Sequence, residues 1–487
     1  MVEDKDILKA NIIQGFGTLI AREVLLKFFS FVGQIFLARL LAPSDFGVYV
    51  IIVFVVNFLS LFSDVGLSLA IIQKTKEPTK EELSSVFFLK MGLSCLIVIL
   101  IWIFAPFLRS FYPAFSASNV LMTRMLSLII ITGSIRSIPI SLLERKIKYN
   151  LISLIDVYGV SIYYIVSIAF ALMHFGAWSF IFGALTKEVG ETIILYGIQP
   201  FFPKLAYSKH NVKSMIKFGI YIQGNGLVNF LGSSITPLLG GRIFGTSRVG
   251  LLDFAYSIAS LPELVGVNFG RVAFAGYSRI QEQKELLLKS IRKSMSMLSI
   301  LLYIFPVVVL CFGSQLVPLF FSDKWIPAIP ALYWYSLDVF FLPIIIALGQ
   351  IILAVGRSKE VFWATFITAV AGWIGIFFLI HIFGFVGIAI DYLLTIVLLS
   401  IFYLSISVKS GFKFPLVSIL GPKMIVAILT IAFSLILDTV FNQTFVMLIV
   451  KLCMSGALYL SLMFLLAKND TVELFLLVIN FVKQKRI

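Results

Sequence analysis

Long apolar runs broken by short polar segments recur from one end of this chain to the other. Fourteen such runs can be marked, at about 14–41, 46–73, 82–108, 119–143, 151–173, 177–200, 213–241, 248–275, 290–313, 325–353, 360–381, 386–407, 422–438 and 445–467. Each is long enough to cross a hydrocarbon layer of about 30 Å. No water is available in that layer, so every backbone N–H and C=O must bond within its own segment, and the runs are predicted to be helices. Pro262 and Pro343, inside two of the runs, are expected to kink them rather than end them.

Composition agrees with the pattern. The chain has 487 residues, 60% of them hydrophobic and only 13% charged, where a soluble domain carries about 25% charged residues. The N-terminus mixes acids and bases without a short apolar core and cleavage site, so no removable signal peptide is expected. Cys95, Cys311 and Cys453 all lie in apolar runs and read as buried structural thiols, with no metal or disulfide spacing. No metal and no cofactor is expected.

The formal charge of +15 is not spread evenly. With the N-terminus placed in the cytoplasm, segments on that side hold 26 of the 39 Lys and Arg residues, and the opposite side only Arg109, Arg242, Arg248 and Lys324. That bias over short loops places both termini in the cytoplasm and the chain in the cell membrane. The bases are divided among short loops and form no groove, so the partners expected are anionic lipid headgroups rather than nucleic acid.

One polar turn is written twice. "ARLLAPSDFG", Ala38 to Gly47, and "GRIFGTSRVG", Gly241 to Gly250, superpose without a gap. Arg39 then falls on Arg242, and Gly47 on Gly250. The first turn joins spans one and two and the second joins spans seven and eight, both on the outer side. An even number of helices separates them, so two six-helix bundles are expected in parallel repeat about an axis along the membrane normal. The expected divisions are 1–210 for the first bundle, 211–410 for the second, and 411–487 for the remainder. The remainder holds a short interfacial helix bordered by Pro415 and Pro422, two extra transmembrane helices, and a cytoplasmic tail opened by a capping Asp470.

"LARLLAPSDFGVYVIIVFVVNFLSLFSDVGLSLAIIQK", Leu37 to Lys74, resembles the opening hairpin of bacterial polysaccharide flippases of the multidrug/oligosaccharidyl-lipid/polysaccharide exporter superfamily. "YSRIQEQKELL", Tyr277 to Leu287, resembles their cytoplasmic loop after helix eight. The count of fourteen spans is similar to the branch with Wzx-like exporters and lipid II flippases. The resemblance implies an all-α integral membrane transporter and no enzyme. Its cargo would be an oligosaccharide or longer glycan on a polyprenyl diphosphate, moved from the inner to the outer leaflet by alternating access. Glycan polymerase and export machinery are implied partners.

A diphosphate cannot cross hydrocarbon bare, since an isolated buried charge costs tens of kcal/mol by Born estimates. A passage for it therefore needs cations within the spans. Arg22, Lys90 and Arg136 fall at one depth, about 10–12 Å below the inner surface at 1.5 Å per residue, with Lys27 and Lys187 close to that layer. Arginine suits phosphate through its planar two-pronged donor geometry. The same bundle holds Glu23, Asp64, Asp156, Glu188 and Glu191, so neutralisation within the bundle is the competing reading. Glu23–Lys27 and Lys187–Glu191 have the spacing of helix-face pairs. The pair Arg22–Glu23 is similar to an Arg–Asp pair on the first helix of lipid II flippases, with Glu in place of Asp. Arg124 and Arg271 lie near span ends and read as snorkelling. The second bundle is acidic, with Asp253, Glu263, Asp338 and Asp391, and Glu263 after Pro262 is a candidate coupling acid. Tyr49, Trp178, Tyr221 and Tyr256 are candidates for stacking on sugar. A multidrug antiporter of the same superfamily and a membrane glycan polymerase or ligase are the alternatives. Short outer loops and the absence of a phosphate-binding G-x-x-x-x-G-K-[ST] loop weigh against enzyme chemistry.

Overall fold

A computed structural model describes residues 25–64, 66–73, 77–204, 230–232, 234–441 and 444–474, together with Leu227 and Leu476. Among the described residues the chain is all helix and turn, without strands. Arg22, Glu23 and Tyr221 lie outside the described residues, as does the side chain of Arg271.

Two compact units are present, Met1–Asp253 and Phe254–Ile487. The first contains α1 (25–40), α2 (Pro43–Asp64), α3 (Leu67–Gln73), α4 (Lys80–Phe104), α5 (Phe107–Phe111), α6 (Ala117–Ser127), α7 (Ile129–Arg145), α8 (Tyr149–Leu172), α9 (Trp178–Ile198) and most of α10 (Gly241–Ala259). The second contains α11 (Glu263–Arg279), α12 (Lys284–Leu302), α13 (Ile304–Phe321), α14 (Ile329–Ser336), α15 (Leu342–Ala354), α16 (Ser358–Phe383), α17 (Gly387–Lys409), α18 (Leu416–Val440), α19 (Phe445–Leu466) and a terminal helix α20 (468–474).

Eight stretches among the described residues are long and apolar enough to cross a membrane, and the bent pair Asp323–Phe340 and Leu342–Ala354 makes up to nine. The chain is a multi-pass membrane protein. One stretch, Ser358–Lys409, contains α16 and α17, which reverse direction at Gly384, where φ is 59°. Helix α9 fails that apolarity test because it carries Lys187, Glu188 and Glu191, and these charges define the interior described below.

Packing follows residue size. On α16 the buried positions are Ala364, Thr368, Gly372, Ile376 and Ile380, one per turn. Trp363, Phe366, Ile374, Phe377 and Phe378 point outward and are exposed. Small residues let helices approach closely, and large apolar ones face lipid, where burial against protein brings no hydrophobic gain. Helix α19 repeats the scheme, burying Leu448, Lys451, Ser455, Tyr459 and Met463. Cys311 is buried and Cys95 half-buried, but Cys453 lies on the exposed face of α19, so the expectation of three buried thiols is corrected there.

Several span details also differ from the sequence reading. The run 46–73 divides at Gly66, whose φ of 73° suits only glycine well. Pro343 lies in the first turn of α15, at the 46° bend between the two parts of its stretch, as a kinking proline would, whereas Pro262 stands at the start of α11 and ends the run before it, because a proline lacks the N–H that a helix interior needs. No separate interfacial helix ends at Pro422. Helix α18 runs from Leu416 straight through it, and Lys423 Nζ donates to the Ile419 carbonyl in the same turn at 2.9 Å. Asp470 lies inside α20 rather than capping it.

Candidate functional site

The cationic side chains of the first unit are held by acids from neighbouring helices. Helix α4 begins at a capping box, in which Thr79 and Glu82 satisfy each other's backbone N–H groups. This fixes the register of α4 and places Lys90 in the interior, 4% exposed. Lys90 Nζ lies 2.9 Å from Asp64 Oδ1 and donates to Ser68 Oγ at 2.7 Å. Asp64 ends α2 and accepts from the backbone N–H of Ser68 at 3.2 Å, so one carboxylate caps α3 and pairs the lysine.

Arg136 projects from α7 toward α9. Its Nη1 pairs with Glu191 and lies 3.3 Å from Glu188. Lys187 completes the group at 3.9 Å from Glu191. Glu191 is seated over Gly159 of α8, where an added Cβ would lie only 2.5 Å from the carboxylate carbon. Arg136 Nε is buried and has no hydrogen-bond partner among the described residues. A buried donor without an acceptor is costly, about 1–3 kcal/mol, and Glu191 Oε1 in the same group likewise lacks a hydrogen-bond partner among the described residues.

Lys90 and Arg136 share a level. Ser94 of α4 and Ser134 of α7 hydrogen-bond across the two helices at 2.5 Å. Lys90 lies four residues before Ser94 on α4, and Arg136 two residues after Ser134 on the antiparallel α7. At 1.5 Å per residue the two cations therefore differ in depth by about 3 Å. Lys27 is exposed on α1. Asp156 is half-buried on α8, within electrostatic reach of Glu144.

The two repeated turns meet within the first unit. A Cβ on Gly47 would sit 2.6 Å from the Thr246 carbonyl carbon and 2.9 Å from Gly250 N. A Cβ on Gly250 would sit 2.8 Å from the Pro43 carbonyl carbon and 2.9 Å from Gly47 N. In the gapless superposition Pro43 corresponds to Thr246 and Gly47 to Gly250, so each contact is the mate of the other. Such reciprocity is the mark of a two-fold relation. The helix breaks also correspond. The first falls at Leu41–Ala42, and the second at Gly245 (φ 78°), the equivalent of Ala42. Arg242 donates to the Phe111 carbonyl at 3.3 Å, and its guanidinium lies 4.7 Å from the Phe111 ring centre. Arg39 is exposed at the end of α1 and has partners of its own.

In the second unit, Tyr256, Tyr335 and Tyr392 form a triangle of edge-on rings, each pair 5.5 Å apart. The Tyr392 hydroxyl donates to Glu263 Oε1 at 3.2 Å. Asp338 sits at the bend before α15, within electrostatic reach of Glu263, and its Oδ1 is buried without a hydrogen-bond partner among the described residues. Asp391 is buried against Gly375. No group of three His, Cys, Asp or Glu converges to hold a metal ion among the described residues.

Comparison with known proteins places this geometry. Residues 36–330 match the family described as "Polysaccharide biosynthesis protein". The chain belongs to that family. It is 23% identical over 299 residues to the lipopolysaccharide biosynthesis protein WzxC of Escherichia coli K12, covering 61% of this chain and 60% of WzxC. It is 25% identical over 338 residues to the succinoglycan biosynthesis transport protein ExoT of Rhizobium meliloti, covering 69% and 67%. The matched region thus spans about three-fifths to two-thirds of the length of these relatives. Among solved structures, the lipid II flippase MurJ in an inward closed conformation superposes with a TM-score of 0.74 over 92% of this chain and 99% of MurJ, at 16% identity. An inward-facing multidrug resistance MATE transporter of the MOP superfamily gives 0.64 over 79% of this chain and 94% of its own length, at 15% identity. The fold is the one shared by these transporters.

Within this family member, sequence reasoning had singled out Lys90 and Arg136 but not their partners. Lys187–Glu191 was visible from its spacing of four. Glu191 with Arg136 was not, because the partners lie 55 residues apart and meet only through the α8–α9 hairpin. A second buried pair was missed altogether. Lys451, fully buried on α19, meets Asp438 of α18 at 2.6 Å, and Gln315 of α13 donates to the same oxygen. The available signal was an acid and a base inside consecutive apolar runs.

Proposed function

We propose that this chain is a flippase. It moves a polyprenyl-diphosphate-linked oligosaccharide or polysaccharide precursor from the inner to the outer leaflet of the cell membrane, for surface polysaccharide assembly, by alternating access and without enzymatic chemistry. The proposed frame is fourteen spans with both termini cytoplasmic. Two six-helix bundles, residues 1–210 and 211–410, form a parallel repeat, and 411–487 adds two further helices and a tail. Lys90 and Arg136, with Arg22 and Lys27, form the cationic layer that receives the diphosphate, and the turns at Arg39–Gly47 and Arg242–Gly250 act as equivalent hinges. Polymerase and export machinery take the cargo afterwards.

The observation that carries this reading is the shared depth of Lys90 and Arg136, with Arg136 Nε still lacking an acceptor. Both cations are countered by acids, which lets them stay in an apolar bundle when cargo is absent. Names of relatives as polysaccharide biosynthesis and transport proteins support the substrate class. With the cell interior negative, each negative charge carried outward gains about 2.3 kcal/mol per 100 mV, so a diphosphate already has a favourable drive. Asp338, whose Oδ1 has no hydrogen-bond partner among the described residues and which lies within electrostatic reach of Glu263, favours additional coupling to an inward-moving cation. Asp64, Glu23 and Asp156 serve as pairing acids.

The test is leaflet-resolved measurement of lipid-linked saccharide in cells carrying Arg136→Ala or Arg22→Ala. Precursor trapped on the inner leaflet, with the variant protein still in the membrane, is the expected result. Normal surface glycan in both variants, or turnover of the lipid-linked saccharide by purified protein, refutes the reading.

A further inference from the structure

An aromatic and acidic layer lies directly outward of the cationic one. On α8, Gly159 marks the level of Glu191 and Arg136, and Tyr163 stands one turn further on, about 6 Å nearer the outer face. Tyr163 shares a hydrogen bond between phenol groups with Tyr49 of α2. Tyr49 is held in orientation by stacking on Phe180 at 4.7 Å and 17°. Asp253 of α10 stands three residues after Gly250, whose backbone meets that of Gly47 two residues before Tyr49, and it is within electrostatic reach of both phenols. Tyr49, Tyr163 and Asp253 lie deep within the protein, yet each side chain keeps part of its surface accessible. Among the described residues Asp253 makes no ion pair and accepts no hydrogen bond, unlike Asp64, Glu188 and Glu191. A carboxylate in that position lacks donors, and burial without donors is costly.

We infer that Tyr49, Tyr163 and Asp253 form the subsite for the first sugar of the cargo, the one joined to the diphosphate. This rests on the flippase reading. A pyranose offers an apolar C–H face suited to an aromatic ring and hydroxyl groups suited to a carboxylate and to the two phenol hydroxyls. One turn of helix between the two layers matches the step from a diphosphate to the sugar it carries. The same carboxylate repels an acidic sugar, so the subsite selects an uncharged hexose or N-acetylhexosamine at that position.

Two probes test it on the purified full chain: polyprenyl diphosphate, and the lipid-linked precursor extracted from cells depleted of this protein. Wild type should bind the precursor more tightly than the bare diphosphate. Asp253→Asn and the double variant Tyr49→Phe/Tyr163→Phe should each lose about tenfold for the precursor, a loss of about 1.4 kcal/mol, and bind polyprenyl diphosphate as wild type does. Equal binding of both probes by wild type, or unchanged precursor binding in the variants, overturns the subsite but leaves the flippase reading intact. Failure of wild type to bind either probe removes the flippase reading itself. If Asp253→Asn instead weakens both probes equally and abolishes a sodium or proton dependence, Asp253 is a cation site and the inference fails. Should Asp253→Asn not fold, the tyrosine variant decides alone, since it removes only two hydroxyl groups.

Discussion

The paired glycines at the repeated turns allow a quantitative test of the two-fold relation. In Gly47→Ala the new methyl would stand 2.6 Å from the Thr246 carbonyl carbon, and closer still to its oxygen, where ordinary contact needs 3.4 Å or more. The two turns must therefore part by more than the roughly 0.8 Å that the carbonyl carbon alone requires, since the oxygen is nearer and the obstacle is backbone rather than a movable side chain. Overpacking of this kind costs about 1–3 kcal/mol, which disfavours the closed pairing of the turns by about 5- to 150-fold. Gly250→Ala meets Pro43 at 2.8 Å in the mirror arrangement and should cost a similar amount. The decisive variant is the double one. Separating the turns once accommodates both methyls, so the combined cost should fall well short of the sum. Thermal unfolding of the purified protein and export of surface glycan would be measured for wild type, both single variants, the double variant and Gly92→Ala. Gly92 is the control, because nothing lies within 4 Å of a Cβ there. Both single variants should show matching losses in melting temperature and export while Gly92→Ala stays near wild type. Tolerance of one glycine change beside intolerance of the other, or strict additivity in the double variant, would refute the reasoning.

Further expectations concern the last three helices and Arg136 of α7. Lys451→Met should destabilise the protein by about 3–5 kcal/mol, because it strands Asp438 against a buried face, and Lys451→Met/Asp438→Leu should recover most of the loss in a thermal shift assay. No recovery would mean the pair is not the source. Near the C-terminus, burial raises the pKa of Asp470, but hydrogen bonds from Lys423 and Ser296 and the charge of Lys423 outweigh it and hold the carboxyl below its ordinary value. Its contribution should therefore be complete above about pH 4 and be lost as pH falls through the lowered value, with α20 then open to proteolysis. Asp470→Asn should weaken the clamp at neutral pH and remove this acid-side change. Exchanging Arg136 for Lys should keep the charge but lose the contact shared between Glu188 and Glu191, and with it most binding of polyprenyl diphosphate.

The legible and illegible parts of this molecule divide by distance along the chain. Apolar run lengths announced the membrane class, and a ten-residue self-match located two turns that the fold brings into backbone contact. Lys187–Glu191 could be read because four residues make one helical turn. Lys90–Asp64, Arg136–Glu191 and Lys451–Asp438 could not be assigned, since each partner sits on a different helix and any acid in the bundle would have served. Helix breaks were hidden for a related reason. Gly66 lies within an apolar stretch whose hydropathy does not change where the backbone turns, whereas Gly245 falls in the polar turn that the self-match marks. Pro422 misled in the opposite direction: it lies in the second turn of α18 and the helix continues through it.

The most direct measurement of the central claim uses proteoliposomes of the full chain loaded with the extracted lipid-linked precursor. Precursor reaching the opposite leaflet would be scored by an impermeant glycan-modifying reagent. Wild type should transfer it across the bilayer, faster with the receiving side positive, and Arg136→Ala should fall to the rate of protein-free vesicles. Transfer by Arg136→Ala at the wild-type rate, or none by wild type under either potential, would contradict a charge-guided passage through the first bundle.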